Sequence, residues 1–325
     1  MISRRHLAGL VPAGLALASI RPAAAQSDWP NRPIRILVGF AAGGGTDITT
    51  RTVQPVLQRV LGQSIVVDNR PGAGGNIATE QVVRAAPDGY TLLMGTIAAL
   101  SVNPSIYRNL GFDPQADLTP ISMSGNVLNV LVVPVDRPWR SVADLVAAAR
   151  ARPDTVTYGS SGVGSAGHLG GALLDNMAGI RTVHVPYRGG GPLMTDLIGA
   201  KVDFSFATAP TAVPQIEAGR LRALAVPGLR RSPLLPNVPT VAETLPGYDV
   251  ANWYALVGPR GLPQPIVARL AAAMREALTD SDVVKHLSVH GVEPTPSSPE
   301  ELARFIRDET AKWAPIIRAT GASAD

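Results

Sequence analysis

From Ile34 to Val257 the chain alternates short β-branched runs with amphipathic stretches, and turns rich in glycine join them. Few packings accept such an alternation. A strand followed by a helix and then a parallel strand buries the helix stripe on a sheet face, so the repeat dictates an α/β fold with helices flanking a parallel sheet. Ile34–Val38 reads as a strand, Ala41 to Gly45 as its glycine turn, and Thr46 or Asp47 as the cap of a helix burying Ile48, Val53, Val56, Leu57 and Val60. Ile65–Val67 and Tyr90–Met94 give further strands, with the turn Gly72–Gly75 and a helix from Ile77 to about Ala86 between them. The middle of the chain repeats the theme: strands at Val127–Val133, Val156–Tyr158, Thr182–Val185, Val202–Phe206 and Leu221–Val226, and helices at Gly164–Met177 and Leu193–Ile198. Ser141 and Asp144 suit a capping box before Val142, Leu145, Val146 and Ala149.

Pro227–Pro239 holds four prolines and reads as an exposed connection. After a strand at Trp253–Val257 the chain turns helical. One stripe runs through Ile266, Val267, Leu270, Met274 and Leu278; a second, capped by Ser298 to Glu301, runs through Leu302, Phe305, Ile306, Trp313 and Ile317. These late helices are expected to close over the first domain. With 46% hydrophobic residues but only 5% aromatic, the core is expected to be aliphatic, and 325 residues suit one or two domains.

The N-terminus stands apart. Arg4 and Arg5 precede an uncharged run from Leu7 to Ile20, and Ala23 to Ala25 provide small residues for cleavage. That is the layout of a signal peptide over residues 1–25, with an exported, periplasmic product; the paired arginines suit either twin-arginine or ordinary export. The run is too short for a membrane span. Removing it takes three of the 29 basic residues and leaves 26 against 25 acidic ones, so no basic excess remains to bind nucleic acid. The absence of cysteine excludes disulfides, thiolate metal sites and a cysteine nucleophile.

Four local motifs bear on chemistry. Gly162 to Gly167 fits a dinucleotide fingerprint, yet the next strand leads into His184-Val185-Pro186-Tyr187 with no acid to hold a ribose, so no nicotinamide or flavin cofactor is expected. Neither Gly43-Gly44-Gly45-Thr46 nor Gly72-Ala73-Gly74-Gly75 continues into the Lys-Ser/Thr of a triphosphate loop. Val163 to Gly167 lacks the first glycine of a nucleophile elbow around Ser165, and the possible bases His168 and His184 lie close in sequence. His286 and His290 could share a metal, but no third ligand lies beside them, so no metal is expected. What recurs is a set of glycine turns with small hydroxyls, Thr46, Ser160, Ser161, Ser165 and Thr208, at the carboxyl ends of strands, where open α/β sheets bind ligands. A glycine turn opening a helix offers backbone N–H groups suited to a carboxylate or phosphate.

The ordered set of Gly43 to Asp47, Asp68 to Asn76, Asp88 to Leu93, His168-Leu169, Val185 to Gly190, Val238-Pro239-Thr240 with Glu243, and Trp253 resembles the substrate-binding receptors of tripartite tricarboxylate transporters, the Bug family. The resemblance covers the whole chain after residue 25. It implies a two-domain periplasmic-binding-protein-like α/β fold, each domain a mostly parallel sheet flanked by helices, with the ligand in the cleft between them. The implied domains are 26–125 plus 240–325, and 126–239. One ligand carboxylate is then held by backbone groups and water from two opposed loops, Ala42, Gly43, Gly44, Thr46 and Asp47 on one side and Ser160, Ser161, Gly164, Ser165 and His168 on the other. Thr96, Gly189, Gly190, Ala207 and Thr208 are the implied walls. Glu243 to Pro246, one residue shorter than the family habit, and the turn at Arg260 to Leu262 depart from the pattern away from the pocket. The expected function is capture of a small organic anion and its delivery to membrane transporter components by a monomeric, non-enzymatic receptor. An exported serine hydrolase using Ser165 and a sensor feeding signalling are the rival readings.

Overall fold

The structure is a computed structural model that describes residues 29–324; the signal segment 1–25 lies outside the described residues. In chain order the first lobe holds β1 (Ile34–Val38), α1 (Gly45–Leu61), β2 (Ile65–Asn69), α2 (Asn76–Val83), β3 (Thr91–Thr96), the short α3 (Asn103–Ile106) and α4 (Pro114–Asp117), and β4 (Leu118–Val127). The chain then crosses to the second lobe: β5 (Asn129–Pro134), α5 (Val142–Ala151), β6 (Thr157–Ser160), α6 (Ala166–Ala178), β7 (Val183–Pro186), α7 (Gly190–Ile198), β8 (Phe204–Thr208), α8 (Ala209–Glu217) and β9 (Leu221–Ala225). It returns through β10 (Trp253–Pro259), α9 (Gln264–Thr279), α10 (Ser281–Val289), β11 (Val292–Pro294) and α11 (Pro299–Thr320).

The first sheet has the order β11-β4-β10-β3-β1-β2 and the second β7-β6-β8-β5-β9. β1 is parallel to β2 and β3, while β10 runs antiparallel between β3 and β4 and β11 pairs antiparallel with β4. In the second sheet β6 is parallel to β7 and β8, and only β5, antiparallel to β8 and β9, runs against the others. The reversal has a geometric cause. A strand reached through a helix in its own lobe returns parallel, but β5 and β10 each enter from the other lobe, so they start at the cleft end of the sheet and run away from it. The sheets therefore both point the carboxyl ends of their parallel strands at the cleft.

Several expectations need correction. β4 spans ten residues, of which the sequence left all but Val127 unassigned, and the apolar run Val127–Val133 is not one strand: it breaks at Leu128, where the chain crosses between lobes. α8 was not expected either. α1 begins at Gly45, capped by the extended backbone of Gly44, so Thr46 and Asp47 lie inside its first turn, and the Asp47 carboxylate reaches back to accept from the Gly43 N–H at 2.9 Å. Ser141 caps α5 by accepting from Asp144 N–H, but Asp144 accepts from Arg140 N–H, one residue upstream of a closed box.

The apolar stripes land as their spacing requires. Ile266, Val267, Leu270, Met274 and Leu278 are all buried in a core shared with Val53, Val56 and Leu57 of α1. α11 does more than close over the first lobe. Its Leu302, Ile306, Trp313 and Ile317 belong to a core that also contains Leu93 of β3 and Tyr158, Leu169 and Phe206 of the second lobe, and the helix packs on both β4 and α6. A buried carboxylate fixes its position: Glu309 Oε2 accepts from Trp253 Nε1 at 3.1 Å and from Trp313 Nε1 at 3.2 Å. A buried donor left without an acceptor costs about 1–3 kcal/mol. Glu309→Ala, which orphans two indole N–H groups, should therefore lower the unfolding free energy by about 2–4 kcal/mol in urea titration, and Glu309→Gln, which keeps an oxygen, by less than about half of that. Equal losses in the two variants would refute the hydrogen-bonding role.

Candidate functional site

At the carboxyl ends of both sheets, a cavity of about 30 Å³ lies between the lobes. Four helices begin at its wall. Gly44, Gly45 and Thr46 come from the start of α1, Ser165, Ala166 and Gly167 from α6, Gly190 from α7, and Thr208 and Thr211 from α8. The first N–H groups of an α-helix have no intrahelical acceptor, and each N-terminus carries roughly half a unit of positive charge. No Lys, Arg, Asp or Glu is among the lining residues. The cavity is thus electropositive through its backbone alone.

The glycines let the lobes meet backbone to backbone. Ala41 N–H donates to Arg188 C=O across the interface at 2.9 Å. A Cβ on Gly189, whose φ is +147°, would sit 2.7 Å from Ala41 N, and one on Gly44 would sit 3.3 Å from Gly190 N. The cavity exists at this size because neither position has a side chain.

Side-chain donors complete it. Tyr254 is buried on β10, and burial pushes its phenol up to about 12, so it lines the cavity as a neutral hydroxyl. Asn252 donates to Asn129 Oδ1 at 2.8 Å, and Asn129 donates to Phe206 C=O at 2.8 Å. A polar chain thus runs through both crossing segments to β8. Thr96 Oγ1, at the end of β3, is buried on the cavity wall with no hydrogen-bond partner among the described residues.

Of the residues singled out in the sequence, Gly44, Thr46, Thr96, Ser161, Ser165, Gly190, Ala207 and Thr208 line the cavity. Ala42, Gly43, Asp47, Ser160, Gly164, His168 and Gly189 stand outside its wall and shape the loops. Asp47 pairs with Arg51 at 2.9 Å as well as holding Gly43. Ser160 Oγ bonds His184 Nε2 at 2.7 Å, and Gly164 N–H donates to His168 Nδ1 at 3.1 Å. The His168 and His184 rings stack at 4.1 Å, and His184 stacks in turn on Tyr158 at 4.8 Å. Sequence reasoning missed Phe40, Asn129, Phe206, Thr211, Asn252 and Tyr254 on the wall. The asparagines did leave a signal, since an amide inside the apolar run Val127–Val133, or just before Trp253, must find partners when buried. Ser165 Oγ is committed within its own turn, donating to Gly162 C=O at 2.6 Å and accepting from His168 N–H at 3.3 Å, which is the arrangement of an N-cap. Among the described residues no group of three His, Asp or Glu is arranged for a metal ion, and no helix is long and apolar enough to cross a membrane.

The stacked imidazoles carry a measurable signature. Burial pushes His168 down to about 4, and burial together with its neighbour pushes His184 down to about 3. An unfolded histidine takes up its proton near pH 6.5. Between that value and about pH 4 the unfolded chain binds protons that the folded chain refuses, so stability is complete above pH 6.5 and falls as the pH drops. The expected slope approaches about 1.4 kcal/mol per pH unit for each imidazole. Urea unfolding at pH 7, 6 and 5 measures it, and His184→Gln should flatten the profile; an unchanged slope in that variant would contradict the assignment.

Comparison with known proteins fits this geometry. Residues 49–322 match the family described as tripartite tricarboxylate transporter family receptor. Protein BugT of Bordetella pertussis is 36% identical over 310 residues, covering 95% of each chain. Among solved structures, R. palustris Rpa4515 with adipate is 38% identical, with a TM-score of 0.88 over 91% of this chain and 99% of that one. MatC (Rpa3494) from Rhodopseudomonas palustris with bound malate is 31% identical, with a TM-score of 0.86 over 89% of this chain and all (100%) of that one. The two-lobed fold, the cleft between the lobes and the match along nearly the whole described chain agree: this protein belongs to the tripartite tricarboxylate transporter receptor family, the Bug-type periplasmic solute-binding receptors.

Proposed function

We propose that this chain is an exported periplasmic receptor that captures a small organic carboxylate between its lobes and delivers it to the membrane components of a tripartite tricarboxylate transporter. The observation that carries the reading is the convergence of four helix N-termini on one cavity without a charged side chain. Such a site suits an anion, and a carboxylate offers two acceptor oxygens to the first-turn amides, the Tyr254 phenol and the Thr96 hydroxyl. Support also comes from relatives whose structures hold adipate and malate. In this reading the protein acts as a monomer and catalyses nothing, and di- and tricarboxylates or related acids are its ligand class. The two lobes move about Leu128 and Asn252. In this reading the segment between 240 and 252 packs partly on the second lobe: Val241, Tyr248 and Val250 share a core with Tyr158 and Phe206, and Tyr248 donates to Gly170 C=O at 2.7 Å.

Binding that requires both lobes stabilises only the folded chain. A saturating acid at about 100 times its dissociation constant should add roughly 2.7 kcal/mol, a rise of several degrees in melting midpoint, whereas the matching amides and esters should not. Gly44→Val, whose side chain would press on Gly190, should abolish that rise while the far-ultraviolet circular dichroism stays native. A panel of carboxylates that leaves the midpoint unmoved, while neutral sugars move it, would refute the proposal. The hydrolase alternative has its own test: a serine-directed phosphonate should leave the intact mass unchanged, and an adduct lost in Ser165→Ala would overturn the receptor reading.

A further inference from the structure

Phe40 and Ser161 form a wall with two sides. Both residues also line a second compartment of about 170 Å³, on the side of the cleft where the glycine turn after β2 meets the loop after β6. The two compartments differ in chemistry. The inner one has room for about two waters, enough for a carboxylate head, and no charged residue lines it. The outer one is several times larger, and Arg188 is the one charged residue among its lining residues. Arg188 is exposed, and among the described residues no ion pair holds it, although its carbonyl accepts from Ala41 N–H. The neighbouring Tyr187 is turned to other work, its hydroxyl donating to Asp196 at 3.0 Å.

We propose that the outer compartment receives the far end of the ligand, and that Arg188 selects ligands bearing a second anionic group there. The ligand class narrows accordingly to elongated diacids, with one carboxylate among the helix N-termini and the other beyond Phe40, beside Arg188. The two ends are recognised by different means. Fixed amides grip the inner carboxylate in a water-poor space, whereas a guanidinium at the mouth meets the outer one in partial contact with solvent, where its contribution is smaller and screened by salt. This inference rests on the carboxylate-receptor reading above.

The test compares adipate with monomethyl adipate and hexanoate, which keep one carboxylate and a similar chain length, by calorimetric titration of the full processed protein. Adipate should bind roughly tenfold more tightly than either monoacid, the size expected of one charge-assisted contact. Arg188→Gln should remove that advantage, bring adipate level with its monoester and leave the monoacids within about twofold of their original affinity, because no inner contact is touched. The advantage should also shrink between 20 mM and about 300 mM salt. If adipate and its monoester bind equally to the unaltered protein, or if Arg188→Gln weakens diacid and monoacids alike, the assignment of Arg188 falls while the carboxylate receptor stands. Failure of every acid to bind would bring down both.

Discussion

The lobes of this receptor meet around the N-termini of four helices. Four helices open at the same small space, and a first-turn amide with no intrahelical acceptor needs a partner outside its helix, as Ala209 N–H finds Leu128 C=O. Much of the architecture follows from that convergence. Helices can aim their N-termini at one point from opposite sides only if both sheets present the carboxyl ends of their parallel strands to the cleft. That in turn requires the chain to enter each sheet from the cleft end, which is why β5 and β10 run against their neighbours. Glycine at Gly44 and Gly189 then follows from proximity, since any side chain would hold the amides apart.

The crossing is correspondingly economical. One residue, Leu128, separates β4 from β5, and the return passes Asn252 directly into β10. The hydrogen bonds from Asn252 through Asn129 to Phe206 C=O link these two thin connections to each other and to β8. Behind them a continuous apolar core passes from one lobe to the other, covered by α11, whose Glu309 is clasped by two tryptophans. A shift between the lobes is therefore felt at the cavity wall, at the crossing amides and under the last helix together.

Legibility in the sequence tracked the regularity of each element. The stripes of α9 and α11 and the capping box at Ser298 and Glu301 could be read directly, because helical spacing and cap chemistry are local. β4 could not: Pro120, Ser122, Ser124 and Gly125 interrupt the apolar pattern of a strand that is buried by tertiary packing despite them. α8 hid behind Pro210 and Pro214, one tolerated in the first turn and the other within a helix of nine residues. For the cleft, the glycine turns and small hydroxyls were visible as motifs. Tyr254, Asn252 and Asn129 were not, since their place on the wall depends on which strands cross between lobes, a property no local window contains. His168 and Ser160 stand off the cavity wall, where each bonds within the loop after β6 or to the neighbouring His184.

Recognition through main-chain N–H groups limits what mutation can change. A point substitution replaces a side chain, but it leaves the amide of Gly45, Ala166 or Gly190 in place as long as the helix still starts there. In the proposed binding mode the grip on an inner carboxylate is thus insulated from sequence drift except at close-packed glycines such as Gly44 and Gly189. Walls built from side chains, such as Phe40, Leu193, Phe206 and Thr211, carry no such protection. Under the proposed binding mode, a lineage descended from this chain could exchange one acid cargo for another by altering a few of those walls, with the main-chain donors inherited intact.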